Sequence, residues 1–148
     1  MTTLKSFTTA TRAISRDMVV EGDAWLATCT KEQTFQLFEV QDPGVEECKV
    51  LYRAKLKTEG LTGKAYLEMW CCFKGRGDFF SRGIYNMVTG TTDWATFETP
   101  FFLKKGQRPD AIRMNLVVRA TGWLFWKKPV SGRVWIANVD LASAPLAP

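Results

Sequence analysis

The chain has 148 residues, 46% of them hydrophobic and 24% charged. A single domain of that size buries about 68–70% of its unfolded surface, so neither a metal nor a disulfide framework is needed to hold it. The net charge of +5 lies entirely in the second half, because residues 1–74 hold 10 basic and 10 acidic side chains whereas residues 75–148 hold 10 and 5; this favours anionic partners and excludes a strongly acidic surface.

Apolar runs fall far short of the ~20 residues of a membrane span. The start, "MTTLKSFTTATRAISRDMVV", lacks the continuous apolar stretch of a secretory signal. No transmembrane segment and no export are therefore expected, with the cytoplasm favoured. "TTATRAISRD" has room for a helical turn or two and nothing longer. From there onward, period-two alternation dominates. "DAWLATCT" and "TFQLFEV", separated by "KEQ", are two strand candidates.

In "VLYRAKLK", Val50, Tyr52, Ala54 and Leu56 share one face and Arg53, Lys55 and Lys57 the other, as in a half-buried strand. "TEGLTG" supplies two glycines for a turn. In "KAYLEMWCCF", Ala65, Leu67, Met69, Cys71 and Phe73 then oppose Tyr66, Glu68, Trp70 and Cys72, so the two runs are predicted to form a hairpin. "KGRGDFFSRG" reads as a glycine-rich loop, and its RGD triplet, Arg76 to Asp78, is too short to signal adhesion. "IYNMV" reads as a strand, "TGTTDW" as a turn and "ATFETPFFL" as another strand. After "KKGQRPD", the run "AIRMNLVVRA" points Ile112, Met114, Leu116 and Val118 one way and Arg113, Asn115, Val117 and Arg119 the other. "RVWIANVDL" is the last strand. Seven or eight short strands with regular turn signals predict one all-β sandwich over residues 1–148, with Leu56, Leu67, Met114, Leu116 and Ile136 in its core.

The four cysteines contain no CxxC and the chain has no histidine, so no metal pattern is present. Reduced, mostly buried thiols are expected, a Cys29–Cys48 bridge being the alternative for an extracellular protein. The missing histidine also removes Ser–His–Asp and Cys–His catalysis. No carboxylate pair has a context that marks it for glycoside hydrolysis, and the chain is expected not to be an enzyme.

The segments "GTTDWATFETPFFL", "PDAIRMNLVVRATG" and "GRVWIANVDL" resemble the galactose-binding-domain-like jelly rolls, which include several families of carbohydrate-binding modules. Relatives close with a strand of the form G-x-V-aromatic-I-D-D-V-x-L, and the likeness extends more loosely through "YRAKLKTEGLTGKAYLEMW". It implies a jelly-roll β-sandwich that recognises a carbohydrate. No cofactor is expected. The structural calcium common in relatives stays an open alternative, but Ala137 and Asn138 stand where many relatives have acidic residues. Trp94 is expected to be buried, because relatives use that position structurally.

Sugar recognition pairs aromatic rings with carboxylate, amide and guanidinium groups. Arg53, Glu68, Trp70, Arg113 and Asn115, on the polar sides of three strands, are the candidate ligand-binding residues. Between Gly122 and Gly132 the chain has an insertion, "GWLFWKKP", where relatives turn almost directly into the closing strand. Its Trp123 and Trp126, beside Lys127 and Lys128, are candidates for a binding lip; closing one end of the sandwich is the other use for such rings. Two further functions stay open: a structural or protein-interaction module, and a binder of an anionic polymer or membrane surface. The oligomeric state is not legible.

Overall fold

The computed structural model describes residues 1–122 and 126–147. Among these residues nine strands follow one another: β1 (Thr2–Phe7), β2 (Met18–Glu21), β3 (Ala24–Cys29), β4 (Gln33–Gln41), β5 (Lys49–Phe73), β6 (Gly77–Arg82), β7 (Val88–Phe102), β8 (Ala111–Arg119) and β9 (Ser131–Ala144). Every pairing is antiparallel. The described residues include no helix long and apolar enough to cross a membrane.

The expected hairpin at "TEGLTG" is not there. β5 runs unbroken for 25 residues and belongs to both layers of a jelly-roll sandwich. Its first half, from Lys49 to Glu59, lies between β9 and β7, while Lys64 to Cys72 lies beside β8, with β6 on the other edge from Glu68 onward. Sheet one is therefore β2-β3-β9-β5-β7, with β1 sharing the far edge of β9 with β3, and sheet two is β4-β8-β5-β6. The two glycines serve a corner. At Gly63, φ is +117° and a Cβ would lie 2.7 Å from the Arg119 carbonyl oxygen; at Gly132, also in the left-handed region, it would lie 2.5 Å from that of Gly60. Real Cβ atoms do not come so close, so only glycine lets the chain cross here.

One apolar cluster fills the space between the sheets, and the alternation read from the sequence selects it. Val50, Tyr52, Ala54 and Leu56 face it from sheet one, and Leu67, Met69, Met114 and Leu116 from sheet two. The five residues that the sequence pattern predicts for the core, Leu56, Leu67, Met114, Leu116 and Ile136, are all buried. Burial of each such side chain contributes on the order of 1.5–3 kcal/mol. The Tyr52 hydroxyl crosses this core and donates to the Asn115 carbonyl oxygen at 3.1 Å, which satisfies a phenol that would otherwise be stranded. Trp25 is buried in the same cluster, edge-on to Phe38.

Four other expectations change. "TTATRAISRD" forms turns and no helix, "GDFFSR" is strand β6, "IYNM" is a turn, and "TGTTDW" lies within β7. The cysteines are free thiols, and burial pushes Cys29 up to about 11 and Cys71 up to about 12. Truncation of Leu116 to Ala is expected to cost about 2–5 kcal/mol in urea titration. Gly63→Ala should cost more than about 1 kcal/mol, because the carbonyl it meets is backbone.

Candidate functional site: a polar and aromatic platform on sheet two

The outer face of sheet two collects the polar side of each of its strands. Glu68 and Trp70 point outward from β5 because Leu67 and Met69 point inward. Register pairs Glu68 with Asn115 and Trp70 with Arg113 on one side, and the same two residues with Arg82 and Phe80 on the other. Gln36 and Glu39 of β4 extend the row beyond β8. Four strands at ~4.8 Å spacing make a face about 14 Å across.

Glu68 is the hub. It is only 3% exposed, and its carboxylate accepts from Trp70 Nε1 at 2.8 Å, Arg82 Nε at 2.7 Å and Asn115 Nδ2 at 3.0 Å. A buried carboxylate without partners costs several kcal/mol; three donors, one of them a guanidinium, offset that cost. The same bonds fix the rings. Trp70, half-buried, meets Phe80 edge to face at 5.2 Å between centroids, and the Arg82 guanidinium lies 3.8 Å from the centre of the Phe80 ring. Phe80 itself is 50% exposed, with Arg82 over its ring and Trp70 at its edge. Arg113, more exposed, pairs with Glu39 at 2.9 Å and lies 3.9 Å from Asp78. A depression of about 380 Å³ lies on the β4 side of the row, between Ile14, Gln36, Glu39, Arg113 and Asn115.

Of the residues picked from the sequence, Glu68, Trp70, Arg113 and Asn115 come together here. Arg53 does not: it lies on the outer face of sheet one, bonded to Asp140 at 3.1 Å. Trp126 is 78% exposed in the β8–β9 connection, where neighbouring Lys127 reaches Glu32 at 3.1 Å. That connection leaves the far end of β8, six residues from Arg113 and so on the order of 20 Å along the strand. Trp123 lies outside the described residues. Phe80 and Arg82 were missed, although Asp78, Phe80 and Arg82 alternate with Phe79 and Ser81 as a strand requires. Trp94 is not buried as expected but 39% exposed on sheet one. Among the described residues, no group of three or more His, Cys, Asp or Glu side chains is placed to hold a metal ion.

Burial acts to raise the pKa of Glu68, but the bonds from Arg82, Asn115 and Trp70 outweigh it and hold the carboxyl below its ordinary range. The ionised form therefore stabilises the fold above the unfolded value of about 4.3, and that contribution is lost as pH falls through the lower folded value. Glu68→Gln is expected to cost about 1–3 kcal/mol at pH 7 and to flatten the acid limb of a stability-versus-pH curve. An acid limb as steep as that of the parent would show that the network does not depend on this charge.

No protein-family model and no curated protein matches the chain. Solved structures do resemble it. A family 4 carbohydrate-binding module superposes with a TM-score of 0.57 at 10% identity, over 94% of this chain and 78% of that one. A family 29 carbohydrate-binding module gives 0.52 at 11% identity, over 95% and 78%. A chain described among carbohydrate-binding modules of promiscuous specificity from the β-sandwich superfamily gives 0.52 at 11%, over 93% and 52%. At these identities the likeness concerns the fold, and the fold of this chain is the β-sandwich of carbohydrate-binding modules.

Proposed function

We propose that the chain is a non-catalytic carbohydrate-binding module that takes an oligosaccharide across the outer face of sheet two. The observation that carries this reading is the buried Glu68 carboxylate, whose three bonds hold Trp70, Arg82 and Asn115 while Phe80 stays half exposed beside them. A pyranose ring has an apolar face of C–H groups and a rim of hydroxyls. Rings such as Trp70 and Phe80 cover the first by stacking, and Arg113, Asn115, Gln36 and Glu39 bond the second. Because the rings and their supports are already fixed, little ordering cost falls on binding.

The fold supports the reading, since its solved neighbours are carbohydrate-binding modules. The chain also lacks the histidine with which most general acid–base chemistry near neutral pH is done. Titration calorimetry against a panel of neutral gluco-, manno- and xylo-oligosaccharides tests it. Phe80→Ala is expected to weaken binding by about 1–3 kcal/mol, the scale of a stacked ring, while moving the unfolding midpoint little, because a half-exposed ring contributes little to folding. Binding should persist at high salt, which screens ion pairs and not stacking. Retention of no oligosaccharide, or affinity unchanged in Phe80→Ala, would overturn it.

A further inference from the structure

Sheet one carries a second concavity on its own outer face, opposite the platform. It encloses about 440 Å³ between the β2–β3 hairpin, β9, β5 and the early part of β7. Trp94 forms one wall. Trp135 forms the floor, only 8% exposed although it points away from the sandwich core. It packs into a small apolar cluster of its own with Ala24, Leu26 and Ala137. Its Nε1 donates to Glu21 Oε1 at 3.3 Å, and Lys57 Nζ stands 5.3 Å from its ring centre.

The charged residues that line the pocket are sorted by side. Lys55 and Lys57 are two positions apart on β5, hence on one face and about 7 Å apart along the strand. Among the described residues neither forms an ion pair. Glu21 and Asp23 stand on the hairpin side. Between them β9 bulges by one residue: Arg53 is opposite Asp140 but Lys55 is opposite Ala137, and Asn138 adopts φ +52°. Asparagine tolerates that conformation better than most residues, and a bulge of this kind re-aims side chains at a sheet surface.

We infer that this pocket is a second saccharide subsite that takes one pyranose carrying a negative charge, as a carboxylate or a sulfate ester. The pyranose face lies on Trp94, the charge goes to Lys55 and Lys57, and hydroxyls donate to Glu21 and Asp23. The volume sits near the small end of ligand pockets, which fits a single ring. A bare inorganic anion leaves the indoles unused and meets two carboxylates at its edge. A neutral sugar leaves the two lysines without a partner. The subsite does not depend on the platform, since the two lie on different sheets.

The test follows indole N–H resonances while the whole chain is titrated with glucuronate, N-acetylglucosamine 6-sulfate, glucose or sodium sulfate. The Trp94 and Trp135 signals, assigned by substitution, are expected to shift with one or both acidic sugars, and the one that binds names the charge. Lys55→Gln and Trp94→Ala should each weaken that binding about tenfold or more, and added salt should weaken it in the parent. Glucose or sodium sulfate acting as strongly as the acidic sugars would overturn the proposal, as would silence of both indoles up to the solubility of each sugar. Loss of the Trp94 shifts in Phe80→Ala would assign the binding to the platform and overturn the pocket.

Discussion

Both sheets depend on a corner in which there is no room for a side chain. β5 passes from one layer to the other between Glu59 and Lys64, and at that point the backbones of Gly60, Gly63, Arg119 and Gly132 are packed against one another. The crossing fixes how the layers face each other, because one strand supplies a row to each. It also fixes what lies outside. The same alternation that turns Leu56 and Leu67 inward sends Lys55 and Lys57 to one outer surface and Glu68 and Trp70 to the other.

On the sheet-two surface, electrostatics does what loop rigidity does in many binding sites. A carboxylate taken out of water is held ionised by three donors, and each donor is thereby held in one orientation. Tyr52 ties this surface to the interior by bonding the Asn115 carbonyl from beneath. Its own ionisation is suppressed, first by burial and then by the charge of Glu68, which keeps the phenol a donor. The platform is thus anchored through the core.

The core was legible in the sequence because alternation is a local property: "VLYRAKLK" and "AIRMNLVVRA" name their inner faces without reference to any partner. The corner was not, since two glycines three and six letters after a charged strand give the same signal for a hairpin as for a crossing between layers. Which one forms is decided by the close approach of Arg119 and Gly132, residues 56 and more positions away. β1 and β2 escaped notice for a related reason. They are edge strands with mostly exposed side chains, so their order comes from pairing with β9 and β3 and not from a hydrophobic pattern. Glu68, Trp70, Arg113 and Asn115 were picked on strand faces and meet because register puts them side by side. Phe80 and Arg82 were passed over because their glycine neighbours looked like a loop.

The strand order also bears on when this protein can fold. β9 is the last of these strands to be made, yet it lies in the middle of sheet one, between β5 on one edge and β1 and β3 on the other. Until Ser131 to Ala144 leave the ribosome, the first and third strands have no central partner, and at ~5–20 residues per second that interval is seconds long. Nascent chains of this type therefore expose unpaired edges throughout synthesis and close in one late, non-local step.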